Sequence, residues 1–269
     1  MAIIALLTDF GTRDWFAAEM KAVIYSISPQ STVIDITHQI DPGDTRAAAF
    51  ALLACFKSFP PGTIFCTVVD PDTGTDSRPV IFQGENYFFT GPDNGVLSWI
   101  CQTENIIAVY QLNRQNGFFK TQQCATFYGR DLIAPAAAQI SKGVIPEMFG
   151  SRISDYRRLP FPEVKISKNQ ICGQIIYLDR FGNAITNIRS DLIDNKSQKQ
   201  LVTKIPGKFL TLPVRRCYKE VPLQSGLAYM GSVGFIEIGI NGGNAARDFK
   251  LLLGDSVQII KTASVDPVN

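Results

Sequence analysis

The chain of 269 residues contains a single histidine, His38, and its six cysteines, at positions 55, 66, 101, 124, 172 and 217, form no CxxC pair. With one imidazole and no paired thiols, a His-based metal cage is excluded and neither a zinc nor a disulfide framework is expected. Cysteines inside runs such as ALLACF and TIFCTVV read as buried small hydrophobes. A Ser-His-Asp triad would have to be built on His38 alone, and that residue reads first as filling a loop. Charge is also scarce: charged residues make up 19% of the chain and the net charge is +2. This leaves no broad basic face, so no nucleic-acid partner is expected. No apolar stretch approaches the roughly 18 residues of a membrane span. The opening MAIIALLTDF has no basic residue ahead of its short apolar run, so it reads as a first strand and not as a signal peptide. No membrane partner is expected, and the location is expected to be cytoplasmic. Neither a GxGxxG after the first strand nor a GxxxxGK[ST] occurs, so the usual phosphate cradles are absent.

What the chain does have is apolar patterning. Hydrophobic residues make up 45% of it. Short apolar runs at 3–7, 33–36 and 63–69 carry the signature of buried parallel strands. Helical spacing appears between them at about 14–28, stopped by Pro29, and at about 44–58, ended before Pro60 and Pro61. Further strands are expected near 79–83, 86–90 and 106–112, and a buried helix follows Tyr128. Alternating strands and helices argue for an α/β domain with a mainly parallel sheet over residues 1–158. A proline-containing linker is read at 159–168. Beyond it CGQIIYLD, AITNI, QLVTKI, VGFIEIGI and DSVQIIK read as strands of a smaller, all-β, barrel-like domain over 169–269. Trp15 and Trp99 read as packing residues.

Three polar clusters fall at the carboxyl ends of expected parallel strands. They are Thr8-Asp9-Phe10-Gly11, Asp70-Pro71-Asp72-Thr73-Gly74-Thr75 and Tyr128-Gly129-Arg130-Asp131. That edge of an open α/β sheet is where ligands bind. Each cluster alone reads first as turn and N-cap chemistry; three on one edge shift the balance toward a site. In the second domain, Asp179-Arg180-Phe181-Gly182-Asn183 and Asn241-Gly242-Gly243-Asn244 are ordinary turn sequences. An aromatic beside an Asn and an Asp also suits a base and a ribose. Arg130-Asp131 reads as a structural pair, and Pro92-Asp93-Asn94-Gly95 as a turn.

Taken together, TDFGTRD (8–14), DITHQI (35–40), VVDPDTGT (68–75), GPDNGVL (91–97), TFYGRDLIAPAAA (126–138), DRFGNAITNI (179–188) and GSVGFIEIGINGGNAA (231–246) resemble the S-adenosylmethionine (SAM) hydroxide adenosyltransferases, relatives of the SAM-dependent fluorinase and chlorinase. The resemblance runs over essentially the whole chain. It implies an α/β domain followed by a β-barrel-like domain, and a homotrimer with SAM held between neighbouring subunits. SAM is then the substrate and no cofactor is required. By position, Asp9 and Asp179 match residues that contact the ribose and the methionine portion. Phe181 and Tyr218 match aromatics that flank adenine, Asn183 a reader of its edge, and Ser232 a ligand of the methionine carboxylate. The implied reaction is displacement at the ribose C5′, with water giving adenosine and methionine and halide giving a halogenated adenosine.

The sequence departs from the hydrolase pattern of Asp, Arg and His around the attacking water. Asp70 keeps the aspartate, Ser77 stands at the arginine position with Arg78 next to it, and Tyr128 stands at the histidine position. Tyr128, Gly129 and Thr73 are similar to the halogenase branch. Asp70 points the other way, because a carboxylate about 4 Å from a halide costs on the order of 4 kcal/mol at an effective dielectric of 20, whereas it can orient a water or take its proton. The expectation is therefore hydrolysis, with Asp70, Tyr128, Thr73 and Arg78 as the reacting-site residues. A chlorinase-like halogenase and a non-catalytic SAM or adenosine binder are the alternatives.

Overall fold

The computed structural model describes residues 2–72, 74, 77–119, 124–193 and 199–261. It divides into two compact units, Met1–Pro160 and Phe161–Asn269.

The first unit runs β1 (Ile3–Thr8), α1 (Phe16–Ile27), β2 (Thr32–Thr37), α2 (Thr45–Cys55), β3 (Ile64–Val68), β4 (Pro79–Gly84), β5 (Phe88–Pro92), β6 (Ile106–Gln111), α3 (Ala134–Ser141) and β7 (Arg152–Ile153). Its sheet has the order β2-β1-β3-β5-β4-β6-β7. β2, β1, β3 and β5 are mutually parallel, and β4, β6 and β7 join antiparallel.

Both faces of β1 are buried because helices cover both. Ile4 and Leu6 belong to a core with Met20 and Ile24 of α1 and the alanines of α3, whereas Ala5 and Leu7 pack with Ala48 and Leu52 of α2. The period of two along a strand sends alternate side chains to opposite layers, so a continuous apolar run is required here. α2 begins where the Asp44 side chain accepts a hydrogen bond from the Ala47 N–H (2.9 Å), an N-cap. It ends at Cys55 and continues only as a single 3₁₀ turn, Phe56–Ser58. α3 is buried nearly all round, and its small side chains let its axis lie close to α1 and the sheet.

The second unit contains β8 (Lys165–Ile166), β9 (Gln170–Leu178), β10 (Ala184–Arg189), β11 (Lys199–Ile205), β12 (Lys208–Arg215), β13 (Gly226–Met230), β14 (Phe235–Ile240), the short α4 (Ala245–Phe249) and β15 (Ser256–Lys261). The order β10-β14-β13-β12-β11-β15-β9 is closed by the β9–β10 pairing into a seven-stranded barrel, with β8 added to β9. Closure leaves no open edge within that ring. Ile236, Ile238 and Ile240 of β14 point into the barrel core with Ile175, Leu212, Ala228 and Ile259.

Two sequence expectations change. Trp99 is buried, but Trp15 is 64% exposed and touches its neighbour Phe16, because it precedes α1 instead of lying on its core face. Of the cysteines, Cys66 is buried and burial pushes its thiol up to about 12, while Cys101, Cys124 and Cys217 are exposed. The exposed ones lie outside the core strands.

Candidate active site

β1 lies between β2 and β3, and the chain steps first to β2 on one side and then to β3 on the other, which makes the β1/β3 carboxyl ends a topological switch point. Thr8 pairs with Val68 across these strands, so Asp9 and Asp70 emerge just beyond the paired ends. Burial raises the Asp9 carboxyl above its ordinary value, an opposing hydrogen bond from the Gly43 N–H (2.8 Å) lowers it, and the negative charge of Asp70 adds to the rise.

Next to this edge lies a cavity of about 240 Å³. Phe10, Phe16, Phe127, Val68, Pro79 and Ile133 give it apolar walls, and Asp70, Ser77, Thr126 and Tyr128 supply polar groups. The Asp70 carboxylate is held from several directions. Ser77 Oγ donates to Oδ2 (2.6 Å), and the Asp72 N–H donates to Oδ1 (3.2 Å). Asn94 Nδ2, which donates to the Val69 carbonyl (2.8 Å), stands 3.4 Å from the same Oδ1.

Tyr128 stands not at a strand end but just before a π-helical turn, Gly129–Ile133, that leads into α3; the Ala134 N–H reaches back five residues to the Gly129 carbonyl. Gly129 allows close contact, since a Cβ there would lie 3.1 Å from Val68 Cγ1 and 3.4 Å from Met20 Sδ. Arg114, in the segment after β6, covers the Tyr128 ring with its Cζ 4.1 Å from the centroid. Its Nη1 donates to the Tyr128 hydroxyl (2.7 Å) and its Nη2 to the Ser77 carbonyl (2.7 Å).

Arg78 lies elsewhere. Its guanidinium binds Asp93 through Nε (2.9 Å) and Nη2 (2.5 Å), and Asp155 through Nη1 (3.2 Å). It does not line the cavity that holds Asp70. The adjacency of Arg78 to Ser77 in sequence is undone by the extended chain, which sends neighbouring side chains to opposite faces. Thr73 lies outside the described residues. His38 is buried, with Nδ1 2.8 Å from Thr8 Oγ1 and Nε2 3.1 Å from Asp35 Oδ1, a loop-filling arrangement. Arg130 pairs with its neighbour Asp131 through Nε (2.7 Å) and Nη2 (3.0 Å).

In the second unit the β9–β10 hairpin carries Asp179 to Asn183. Gly182, at φ 86°, makes the turn, and any Cβ there would overlap the Asn244 side chain at 2.1 Å. Asp179 Oδ1 accepts from the Asn183 N–H and Oδ2 from Asn183 Nδ2, each at 2.8 Å. Tyr218 donates to Asn183 Oδ1 (3.0 Å), its hydroxyl lies 2.8 Å from that of Tyr229, and Tyr229 donates to Glu237 Oε2 (2.6 Å). Five polar side chains are thus linked, and one amide of Asn183 is fixed in orientation by partners on both its oxygen and its nitrogen. Burial raises the Glu237 carboxyl, against the Tyr229 hydrogen bond. Phe181 projects from the same hairpin and is 78% exposed. Ser232 is exposed in the β13–β14 turn.

Sequence reasoning brought Asp70 and Tyr128 forward, and they share a cavity. It took Asn94 for a turn residue and did not notice Arg114, Tyr229 or Glu237. Asn94 was within reach, since it follows β5, the strand beside β3. Arg114 had no local signal.

The chain matches the SAM hydroxide adenosyltransferase N-terminal domain over residues 4–150 and the corresponding C-terminal domain over residues 173–258. It belongs to that family. It is 33% identical to the (R)-S-adenosyl-L-methionine hydrolase of Thermus thermophilus, over 97% of this chain and 100% of that one. It is 27% identical to the fluorinase of Nocardia brasiliensis, over 96% of each. The crystal structure of an uncharacterized conserved protein from Thermotoga maritima superposes with a TM-score of 0.89 at 30% identity, over 96% of this chain and 100% of that one. No helix among the described residues is long and apolar enough to cross a membrane.

Proposed function

We propose that this protein hydrolyses S-adenosyl-L-methionine to adenosine and L-methionine. The observation that carries the reading is a hydrogen-bonded carboxylate, Asp70, facing a mostly apolar cavity beside Tyr128 at the sheet's switch point. Water attacks the ribose C5′ in line with the C5′–S bond. As the C–O bond forms, the C–S electron pair leaves with methionine, whose sulfur becomes a neutral thioether. The sulfonium needs no acid to depart, so the protein's task is to hold one water about 3 Å from C5′ and exclude others. Asp70 orients that water and takes its proton; the proton then passes to solvent. Tyr128 is polar lining. Thr73, assigned the same role from the resemblance, lies outside the described residues, and no cofactor takes part.

Asp9 and Asp179 are assigned to the ribose and methionine portions, Phe181 and Tyr218 to the faces of adenine, Asn183 to its edge and Ser232 to the methionine carboxylate. Asn183 suits edge reading because Asp179 and Tyr218 fix its amide. The cavity beside Asp70 is about 240 Å³, below the roughly 300–1,000 Å³ of sites that enclose a drug-sized ligand. None of the residues assigned to adenine is among its described walls. We therefore propose a homotrimer in which SAM bridges the N-terminal unit of one subunit and the C-terminal unit of its neighbour. Six free cysteines, three of them exposed, fit a reducing compartment, and the cytoplasm is the proposed location.

A halogenase is the second reading, favoured by Tyr128 and Gly129 and by the likeness to fluorinases. Incubating purified protein with SAM, with and without chloride, and separating the nucleosides by chromatography tests both. Adenosine in both samples supports the hydrolase. Chlorinated adenosine that appears only with chloride makes it a halogenase, and bound SAM without product makes it a binder. Mixing Asp70→Asn subunits with Asn183→Ala subunits tests the shared site: activity regained on mixing requires the two halves to come from different chains.

A further inference from the structure

No motif pointed to Arg114, and its geometry constrains two polar groups of the cavity at once. A guanidinium donates hydrogen bonds and accepts none. Since Arg114 Nη1 donates to the Tyr128 oxygen at 2.7 Å, the Tyr128 hydroxyl hydrogen cannot point at Arg114 and is left to donate elsewhere. Tyr128 lines the cavity together with Asp70. The other arm, Nη2, holds the Ser77 carbonyl at 2.7 Å, while the Ser77 hydroxyl donates to Asp70 Oδ2 at 2.6 Å. The ring stacking, with Cζ 4.1 Å from the Tyr128 centroid, fixes the guanidinium plane against the phenol. Arg78 cannot share this role, because Asp93 and Asp155 occupy its donors.

We infer that Arg114 is a positioning residue for the attacking nucleophile: it sets Tyr128 as a hydrogen-bond donor and Ser77–Asp70 as an acceptor on the two sides of one water. A water that accepts from Tyr128 and donates to Asp70 has its remaining lone pair available to C5′. The cationic donor on the Tyr128 oxygen also polarises the phenol O–H, which strengthens the hydrogen bond it gives to that water. Arg114 thereby supplies, from the segment after β6, the cation that Ser77 does not. This inference rests on the hydrolase reading.

The test is steady-state adenosine formation by the unmodified protein, Arg114→Gln, Arg114→Lys, Tyr128→Phe and the Arg114→Gln/Tyr128→Phe double variant, with melting temperatures recorded for each. Arg114→Gln is expected to lower kcat by roughly 10- to 100-fold, the worth of a charge-assisted hydrogen bond, with KM for SAM changed less than about threefold. Lysine keeps the charge and a donor but not the fork, so Arg114→Lys regains part of the lost kcat. In the Tyr128→Phe background, replacing Arg114 lowers kcat by a clearly smaller factor than in the unmodified background, because the hydroxyl arm has lost its partner and only the Ser77 arm remains. Wild-type kcat in Arg114→Gln overturns the inference, as does a fall in kcat that is fully multiplicative in the double variant or a rise in KM alone. Absence of adenosine from the unmodified protein would instead refute the hydrolase reading, and the inference with it.

Discussion

Replacing Asp70 by asparagine separates holding the substrate from reacting with it. Asparagine has nearly the same shape, and the surroundings can receive it. Its oxygen can take over the 3.2 Å bond from the Asp72 N–H, and its NH₂ then faces Ser77 Oγ, which can rotate from donor to acceptor. The fold loses at most one neutral hydrogen bond, worth about 1 kcal/mol. What vanishes is the second acceptor and the capacity to take a proton from water. General-base assistance is worth about 10²- to 10⁴-fold, or about 2.7–5.5 kcal/mol of activation free energy. The expected outcome is therefore a kcat lower by about that factor, a SAM complex still measurable by calorimetry, and a melting temperature close to that of the unmodified protein. The assay is chromatographic detection of adenosine and methionine in equal amounts over time. Turnover within about threefold of the unmodified protein would remove Asp70 from the mechanism, and the preference for water over halide would lose its main support.

Three further outcomes are expected. Arg78→Met leaves the Asp93 carboxylate, whose side chain is 3% exposed, without its cation. The variant should lose about 2–4 kcal/mol of stability in a chemical denaturation series while its folded fraction keeps normal kcat; a selective loss of kcat would place Arg78 in the reaction after all. Phe181→Ala should raise KM for SAM by roughly 5- to 100-fold, the worth of stacking one base, without lowering the melting temperature, since this ring is 78% exposed; an unchanged KM would refute its assignment to adenine. Asp9→Asn should stabilise the protein in a pH-dependent manner. Burial and Asp70 raise the Asp9 carboxyl in the folded state, so ionising it costs stability above that raised value and nothing below the ordinary value near 4. The gain in melting temperature of the variant should thus be present at pH 7 and fade as the pH falls to about 4; a gain independent of pH would contradict this account.

The parts of the fold legible in the sequence were those where one physical requirement dominates locally. β1 and β3 must be apolar on both faces, and their runs stand out; α1 is closed by Ser28 and Pro29, and the 3₁₀ turn after α2 stops before Pro60 and Pro61. The β9–β10 hairpin was readable as a turn because Gly182 needs a positive φ. The antiparallel half of the first sheet was less visible, since the short runs at 79–83, 86–90 and 106–112 carry no sign of direction. The same limit applies to the site. Asp70 follows β3 and Tyr128 stands at the start of the helical run into α3, so arguments from the ends of regular elements reach both. Arg114 and Asn94 reach the site by side-chain length from segments whose placement depends on the whole sheet, and no local spacing encodes that. Arg78 shows the converse: a neighbour in sequence, it is turned away by the alternation of an extended chain and taken up by Asp93.

The π-helical turn at Gly129–Ile133 has a consequence for how this chain can change. A π turn carries one residue more than the α-helix it interrupts. Here the surplus lies between the segment that walls the cavity and the alanine face of α3, which is fully buried at Ala134, Ala136, Ala137 and Ala138. A substitution at position 128 can shift the backbone on its own side of that slack without rotating α3 against the sheet. Acceptance of a new attacking group and preservation of the hydrophobic interior are thereby separable inheritances, so the identity of the nucleophile can drift across descendants of this chain while the scaffold stays the same.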